Sequence, residues 1–403
     1  MNRTDQPAQP APAPRLTTPW GDVDLTRFPE NPRDLLRAWD AADTYLLRHL
    51  AETETDLTGA VTVVGDRWGA LATALTGIPG CTPTPISDSY LGHQATYANL
   101  TRNEHAGAAR LLTTQDTPPQ RIDVLLIRVP KSLALLEDQL HRLRPAVHAN
   151  TVVIGTGMVK EIHTSTLNLF ERIIGPTRTS LAEKKARLIF TEPDPSLTPA
   201  PNPWPHTYQL PSGIGPLSSR PVVNHAGVFC AEHLDIGTRF LLQHLPQGTD
   251  ARTIVDLGCG NGVVGTSAAL THPNADVVFT DESHQAVASA RATYAENVGD
   301  RPGKADFRVA DGLADTPPGS VDLILNNPPF HTHQATTDAT AHRMFTQARA
   351  ALRPGGELWV VGNRHLGYHV KLRHLFGNSQ LVASNAKFVI LKATKREPRG
   401  RRD

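Results

Sequence analysis

The stretch Thr253-Ile-Val-Asp-Leu-Gly-Cys-Gly-Asn-Gly262 decides the fold of the second half of this 403-residue chain. A short apolar run leads into three alternating glycines, and a helix-like stretch follows at 263–270. This order predicts a strand, a tight turn and a helix, because glycines let the backbone turn sharply and approach a ligand closely. Val263 stands where the dinucleotide-binding pattern has its third glycine. Asp256, just before the turn, would repel a pyrophosphate and favour a cationic ligand, so the pattern departs from a dinucleotide site.

Acidic residues follow at the ends of the next two predicted strands. The second apolar run ends in Asp281-Glu282, and Asp281 comes 23 residues after Gly258. A carboxylate about 20 residues beyond the glycine loop binds the ribose hydroxyls in nucleotide-binding βαβ units. The third run ends in Asp311-Gly312, placed to meet an adenine edge. Together the three strand ends predict a nucleoside-binding edge of a parallel sheet.

The five residues Asn326-Asn327-Pro328-Pro329-Phe330 come directly after the apolar run 321–325. Two prolines in series end a central strand, because proline has no N–H for the sheet ladder. The stiff turn presents an amide, backbone carbonyls and a flat aromatic ring. Amide and carbonyl oxygens accept protons from an amino group, and the ring stacks on a planar base. We therefore expect this turn to hold a planar amine.

These motifs, in this order, resemble the class I (Rossmann-like) S-adenosylmethionine-dependent methyltransferases. In that family the glycine loop holds the methionine part of the cofactor, the second acid the ribose and the third acid the adenine. The cofactor-binding residues that the resemblance implies are Asp256, Gly258, Cys259, Gly260, Asn261, Gly262, Asp281, Glu282, Asp311, Gly312 and Asn326. The implied catalytic residues are Asn327, Pro328, Pro329 and Phe330. No metal is expected, and His331 and His333 are interpreted as polar loop residues.

The first half of the chain repeats the plan of the second. The apolar run 60–64 ends in Gly65, and Asp88 follows Gly65 by 23 residues, the interval also found in the second half. We therefore predict an α/β protein of two tandem doubly wound, Rossmann-like domains. The loop Gly65-Asp-Arg-Trp-Gly69 carries bulky side chains, and Arg128-Val-Pro-Lys131 replaces the amine-holding tetrad, so the N-terminal copy is predicted to be degenerate. Its basic residues are expected either to face phosphates or to be ordinary solvated charges; they are Arg128, Lys131, Arg142 and Arg144.

Composition sets the domain boundaries and excludes other classes of protein. Nine prolines between 192 and 221 predict a stiff connector without regular structure. The predicted segments are a disordered lead-in at 1–15, the degenerate domain at 16–191, a linker at 192–221, the catalytic domain at 222–394 and a basic tail at 395–403. Three scattered cysteines form no disulfide framework, which suits a reducing cytoplasm. No apolar run approaches the roughly 20 residues that span a bilayer.

Charge and further stretches point to the substrate. Residues 341–403 hold 13 Lys/Arg and 3 Asp/Glu, although the whole chain has a net charge of only +1. A catalytic domain behind a degenerate copy resembles the bacterial ribosomal RNA guanine-N2 methyltransferases. The large-subunit type of that group is favoured by the stretches 160–170, 180–188, 224–229, 234–237 and 385–388. The resemblance implies a monomer that acts on naked or partly assembled ribosomal RNA, with no DNA or membrane partner.

Several alternatives remain open at this stage. The small-subunit enzyme of the group has the same two-domain plan. An Asn-Pro-Pro-aromatic tetrad also serves methylation of adenine N6 in nucleic acid and of glutamine in proteins. A non-enzymatic RNA-binding or assembly factor would not need intact glycines and an intact tetrad. A small-molecule methyltransferase would leave the first half unexplained.

Overall fold

The computed structural model describes residues 14–31, 34, 36–248, 250–329 and 334–397, with the backbone alone at 334–338. The described chain divides into two compact units, Met1–Asn202 and Pro203–Asp403, called here unit 1 and unit 2. The division falls inside the predicted linker 192–221. Most of the predicted lead-in, the end of the predicted tail, Phe330, His331 and His333 lie outside the described residues.

Unit 1 contains these elements in the described residues. Its strands are β1 (Arg15–Thr18), β2 (Gly21–Asp24), β3 (Val61–Val64), β4 (Thr84–Ser87), β5 (Leu112–Thr113), β6 (Ile122–Arg128), β7 (Val147–Met158), β8 (Thr177–Thr179) and β9 (Ala186–Thr191). Its helices are α1 (Ala41–Glu52), α2 (Ala70–Thr76), α3 (Tyr90–Arg102), α4 (Leu133–Leu143) and α5 (Thr164–Ile173). Seven of these strands, as far as the chain is described, form one sheet in the order β5-β4-β3-β6-β7-β9-β8.

Helices cover both faces of the unit 1 sheet, so its central strands are mostly apolar. Every residue of β3 is buried, and separate apolar clusters lie on the two faces of the sheet. The helix predicted from Leu133, Leu136, Leu140 and Leu143 is α4. Leu133 is an exception to the predicted buried stripe, because it lies in the first turn and is 38% exposed.

Unit 2 contains a second set of elements. Its strands are β10 (His206–Gln209), β11 (Pro221–Asn224), β12 (Thr253–Leu257), β13 (Asp276–Asp281), β14 (Ala305–Val309), β15 (Val321–Asn326), β16 (Leu352–Asn363), β17 (Gln380–Ser384) and β18 (Phe388–Thr394). Its helices are α6 (Ile236–Leu242), α7 (Val263–Thr271), α8 (His284–Asn297), α9 (Gln334–Ala351) and α10 (Tyr368–Phe376).

The large sheet of unit 2 has the strand order β14-β13-β12-β15-β16-β18-β17, which is the order found in unit 1. In each sheet the last strand along the chain, β9 or β18, pairs antiparallel with its neighbours. The strands that precede it in the sheet order pair parallel with one another. Two apolar clusters again cover the two faces. The prediction of two tandem doubly wound α/β domains is confirmed.

The two sheets can be placed in register with each other through their central strands. Val61 of β3 pairs with Val124 of β6, and Ile254 of β12 pairs with Leu323 of β15. When these pairs are matched, Arg128 occupies the position of Asn327, four residues beyond the matched residue of β6 or β15. The glycine loops match as well, because Gly65 and Gly258 both have φ 73°, and the helix-capping Gly69 and Gly262 have φ 78° and 77°.

One prediction about the proline-rich stretch is wrong. Residues 206–209 form the strand β10, which pairs antiparallel with β11. The reason is local, since His206–Gln209 contains no proline and each of its residues has an N–H to donate. Pro221 is the first residue of β11, a position that proline tolerates in a strand.

No helix in the described part of the chain is long and apolar enough to cross a membrane.

Candidate active site

A cavity of about 440 Å³ lies in unit 2, where the glycine loop and the ends of its parallel strands meet. This edge of a doubly wound sheet is where such folds bind ligands. The cavity is lined by twelve of the residues singled out from the sequence: Asp256, Gly258, Cys259, Gly260, Asn261, Asp281, Glu282, Asp311, Gly312, Asn327, Pro328 and Pro329. The fold thus brings together residues separated by up to 73 positions in the sequence.

Backbone hydrogen bonds hold the glycine loop over the end of β13. The N–H groups of Gly258 and Cys259 donate to the Thr280 carbonyl at 2.9 and 3.0 Å. Burial raises the pKa of the Cys259 thiol well above its ordinary value, so this cysteine contributes a small neutral side chain. A Cβ atom on Gly262 would lie 2.6 Å from the Cα atom of Ala290, so this glycine lets α8 pack closely against the start of α7. Gly262 does not line the cavity.

Asp256 is buried beneath the loop. Its Oδ2 atom accepts a hydrogen bond from the Gly265 N–H at 2.7 Å, at the start of α7. The pKa of Asp256 is raised to about 8, mainly by burial and in smaller part by the nearby charge of Asp281, while the hydrogen bond from the Gly265 N–H acts in the opposite direction. The carboxyl group is therefore mostly protonated at neutral pH. We had expected a charged group that attracts a cation, and burial is the reason for the difference.

The two acids at the next strand ends have separate partners. The Asp281 carboxylate accepts hydrogen bonds from the N–H groups of Gly260 at 3.0 Å and Ser283 at 3.1 Å, which tie the glycine loop to the end of β13. Asp311 forms an ion pair of 3.1 Å with Arg343 of α9. Burial raises the pKa of Asp311, and the positive charge of Arg343 opposes that rise.

The two adjacent asparagines have different surroundings. Asn326 is fully buried at the end of β15, and its Nδ2 atom donates to the Leu257 carbonyl at 2.7 Å, so it ties β15 to β12 and does not line the cavity. Asn327 lines the cavity, and its Nδ2 atom donates to Thr238 Oγ1 at 2.9 Å. The Oδ1 atom of Asn327 is buried and has no hydrogen-bond partner within the described part of the chain. Asn327 therefore offers a free acceptor.

Sequence reasoning missed one wall of the cavity. It is formed by Tyr208, Phe229, Cys230, Leu234, Asp235 and Thr238, which come from β10, the segment after β11 and the start of α6. Phe229 is 51% exposed and lines the same cavity as the two prolines. The stretches 224–229 and 234–237 had been singled out from the sequence, but no role was assigned to them. Val263 also lines the cavity, together with residues that had not been singled out, which are Val264, Thr280, Thr340, Arg343 and Met344.

In unit 1 the position of Asn327 is taken by Arg128, which is only 1% exposed. Its guanidinium group contacts three carboxylates, Asp40 at 2.5 Å and Asp43 and Glu161 at 3.3 Å. The expectation that Arg128 faces phosphates is wrong, because the arginine is enclosed by acidic side chains. Burial alone would raise the pKa of Asp43 strongly, and Arg128 limits the rise to about 7.

The other basic residues of unit 1 differ in how freely they face solvent. Arg142 donates to the Asp116 carbonyl at 2.7 Å, and Arg144 donates to the Leu197 carbonyl. Lys131 is exposed. Of the four residues first considered for a phosphate-facing surface, Lys131 fits that description best.

No group of three or more His, Cys, Asp or Glu side chains among the described residues could hold a metal ion.

Comparison with known proteins places both units in described families. Residues 13–195 match the RLMG N-terminal domain, and residues 219–392 match the methyltransferase small domain. The chain is 69% identical over 382 residues to ribosomal RNA large subunit methyltransferase G of Streptomyces avermitilis, covering 94% of this chain and 99% of the relative. It is also 69% identical to the protein of that name from Streptomyces coelicolor, covering 94% of this chain and all of the relative.

Among solved structures, the T. thermophilus 16S rRNA N2 methyltransferase in complex with AdoMet and guanosine is similar in fold. The TM-score is 0.72 at 22% identity, over 95% of this chain and 98% of that chain. The resemblance inferred from the sequence motifs is confirmed by the relatives that align over nearly their whole length. Since these relatives are 69% identical and align over nearly their whole length, the chain belongs to the family of ribosomal RNA large subunit methyltransferase G.

Proposed function

We propose that this protein transfers a methyl group from S-adenosyl-L-methionine to the exocyclic N2 atom of a guanine in large-subunit (23S) ribosomal RNA. The observation that carries the proposal is the Asn327 amide in the cavity wall, whose buried Oδ1 atom has no hydrogen-bond partner among the described residues. An acceptor held in this way suits a group that brings N–H donors, as an exocyclic amine does. The name shared by the relatives at 69% identity supports the large subunit as the source of that amine.

The residues of the cavity fit the cofactor. A volume of about 440 Å³ lies in the range of small-molecule sites. Asp281 stands at the end of β13, where a carboxylate suits a ribose, and the glycine loop has no Cβ atoms at Gly258 and Gly260 to block close approach. When bound, the cofactor supplies an electrophilic methyl group on a sulfonium.

The chain's own part in the reaction is to orient the acceptor. The guanine amine is a poor nucleophile because its lone pair is delocalised into the ring. Hydrogen bonds from this amine to Asn327 Oδ1 and to the Pro328 carbonyl would hold it in line with the methyl group and stabilise the positive charge that develops on nitrogen. Phe330, which lies outside the described residues, would stack on the base. The nitrogen gains the methyl group as the bond between sulfur and methyl breaks, so that neutral S-adenosylhomocysteine leaves, and the nitrogen releases one proton to solvent.

Unit 1 has a supporting role in this proposal. Its counterpart of the active site is filled by the Arg128 network, so this half would position the RNA. A base inside a helix must leave the stack at a cost of roughly a few kcal/mol, which favours naked or partly assembled RNA as the substrate. We further propose that the protein acts as a monomer, with the basic stretch 341–403 against the RNA backbone. Because bacterial ribosomes assemble in the cytoplasm, the proposal carries a cytoplasmic location.

The test is methyl transfer from labelled S-adenosylmethionine to total ribosomal RNA, with and without ribosomal proteins, followed by nucleoside analysis. The expected product is N2-methylguanosine in large-subunit RNA. N2-methylguanosine in small-subunit RNA would leave the proposed reaction standing and change only the RNA on which it acts. Label in N6-methyladenosine, in protein or in no product would contradict the proposal.

A further inference from the structure

Helix α6 begins directly beside the amide of Asn327. Asp235 is the N-cap of this helix, and its Oδ2 atom accepts a hydrogen bond from the Thr238 N–H at 2.8 Å. The same Oδ2 atom also accepts from the Thr238 hydroxyl at 3.2 Å. Both contacts fix the Thr238 side chain relative to the helix start.

The direction of these hydrogen bonds determines the orientation of the Asn327 amide. The Thr238 hydroxyl has one proton, and this proton is donated to Asp235. Thr238 Oγ1 therefore acts as an acceptor toward Asn327 Nδ2 at 2.9 Å, and Asp235 Oδ2 lies 3.4 Å from the same nitrogen. A rotated amide would place its oxygen 3.4 Å from the Asp235 carboxylate, which can only accept. It could keep a contact with Thr238 only if the hydroxyl gave up its hydrogen bond to Asp235.

We propose that Asp235 and Thr238 are positioning residues, which hold the Asn327 amide so that its oxygen faces the acceptor. This inference rests on the proposed function, because it gives the site its preference for one chemical class of acceptor. A fixed oxygen attracts a planar group with N–H donors and repels one with a carbonyl oxygen. The orientation of one amide would thus select an exocyclic amine over a keto edge of a base.

The corresponding residues of unit 1 support the inference independently. Asp40 is the N-cap of α1, the helix that precedes the first strand of the large sheet, as Asp235 is for α6. Asp43 lies three residues later, at the position of Thr238, and both acids of unit 1 contact Arg128.

In each unit, therefore, the start of the helix offers oxygen acceptors to the same position of the sheet, Arg128 in unit 1 and Asn327 in unit 2. The second acceptor of each helix start differs with the charge of the side chain that it contacts. A second carboxylate faces the cationic Arg128, and a neutral hydroxyl faces the neutral Asn327. This match is expected if Asp235 and Thr238 hold Asn327 in place as Asp40 and Asp43 hold Arg128.

The test uses Thr238→Val, which removes the hydroxyl group and keeps the shape of the side chain. Single-turnover methyl transfer to ribosomal RNA is expected to slow by about 10- to 100-fold, because the acceptor group is no longer aligned. The dissociation constants for S-adenosylmethionine and for the RNA should stay within about twofold of wild type. Thr238→Ser restores the hydroxyl and should recover most of the rate.

The matched control is Thr266→Val, the same change on α7. Thr266 is also buried, and its hydroxyl has no hydrogen-bond partner among the described residues. This variant should transfer methyl groups at the wild-type rate. An unchanged rate in Thr238→Val would overturn the inference, and so would a loss of cofactor affinity or of thermal stability that Thr238→Ser does not restore.

A second readout separates this inference from the proposed function. In wild-type protein, the side-chain amide protons of Asn327 should show slow solvent exchange by nuclear magnetic resonance, and Thr238→Val should remove that protection. If wild-type protein methylates no ribosomal RNA but the protection is lost in the variant, the proposed function fails and the positioning contact stands. If the protection is the same in both proteins, the positioning contact is refuted whatever the substrate.

Discussion

At the scale of single residues, position in the fold decides which polar side chains are available for chemistry. Asn326 and Asn327 are neighbours of the same type, yet one joins two strands and the other lines the cavity. The sequence motif predicts the backbone that presents them, because glycines and prolines act locally on the chain. It gives no sign of Asp235 and Thr238, which lie 92 and 89 residues before Asn327 and meet it only after folding.

We expect Asn327→Ala to abolish methyl transfer, with a loss of at least about 100-fold, because the acceptor of the amine is removed. The affinity for S-adenosylmethionine should change little, as measured by isothermal titration calorimetry. Asn150→Ala, an exposed position in unit 1, is the control and should keep full activity. A loss of cofactor binding in Asn327→Ala would refute the role assigned to this side chain.

Asp256 predicts a dependence of stability on pH. Its pKa is raised from 3.8 to about 8 in the folded protein, so the folded state holds a proton that the unfolded state releases above about pH 4. The resulting stabilisation is complete below pH 4 and is lost as the pH rises toward 8.

Asp256→Asn keeps an acceptor for the Gly265 N–H and removes the titration. Denaturant unfolding should therefore show the variant gaining stability relative to wild type between pH 5 and pH 8.5, with the larger gain at the higher pH. The exposed Asp250→Asn, measured over the same pH range, is the control for the loss of one carboxylate elsewhere in unit 2. A constant difference between Asp256→Asn and wild type would argue against the raised pKa.

At the scale of elements, helices and strands follow the apolar patterns of the sequence closely, whereas some turns contain residues that their backbone conformation does not favour. The hairpin between β8 and β9 turns through Lys184 and Lys185, which have φ angles of 46° and 64°. Glu183 and Ala186 flank this turn and exchange two backbone hydrogen bonds. A two-residue turn of this type favours Asn-Gly, because side chains with a Cβ atom are strained at positive φ.

Replacing Lys184 by Asn and Lys185 by Gly should therefore stabilise unit 1 by about 1 kcal/mol. The gain would appear as a higher midpoint in thermal or urea unfolding. Replacing both lysines by glutamine removes the same two charges and keeps the strain, so that variant should show no comparable gain. Equal gains in the two variants would assign the effect to charge instead of backbone strain.

At the scale of the whole molecule, one architecture has been used twice with different interiors. The strand order, the loop backbone and the capped helix before the first strand are common to both units. The doubly wound plan and the turn after the first strand could be predicted from the repeated motifs and their 23-residue intervals, and the capped helices could not. The interior of unit 1 could not, since Arg128 looks like any surface arginine until Asp40, Asp43 and Glu161 are seen around it.

The Arg128 network leads to a prediction about stability. Arg128→Ala leaves the buried Asp43 and the partly buried Asp40 and Glu161 without their cation, so we expect the free energy of unfolding of unit 1 to fall by roughly 3–5 kcal/mol. Thermal unfolding of the full chain would show the affected transition. Arg121→Ala removes an arginine that is paired with Asp123 on the surface, and its effect should stay below about 1 kcal/mol. A small effect of Arg128→Ala would contradict a structural role for the network.

The carboxylate that caps the helix after each glycine loop has a consequence for the history of the two halves. Asp256 reaches Gly265 from the strand, whereas in unit 1 Asp66 accepts from Ala70 and Ala72 from within the loop itself. By the register of the sheets, Val63 stands where unit 2 has Asp256.

In each half, the strand residue, the glycine loop and the start of the following helix are therefore matched to one another. A Cβ atom at position 265 would lie 2.3 Å from the Phe279 ring and 2.9 Å from the Cβ atom of Asp256, so the packing of the helix on these two strands requires the glycine. Genetic exchange of the loop alone between the halves would give one copy without a cap and the other with two acids at the same place. Such recombinants would fold poorly, and this incompatibility would keep the two copies from being made uniform by gene conversion.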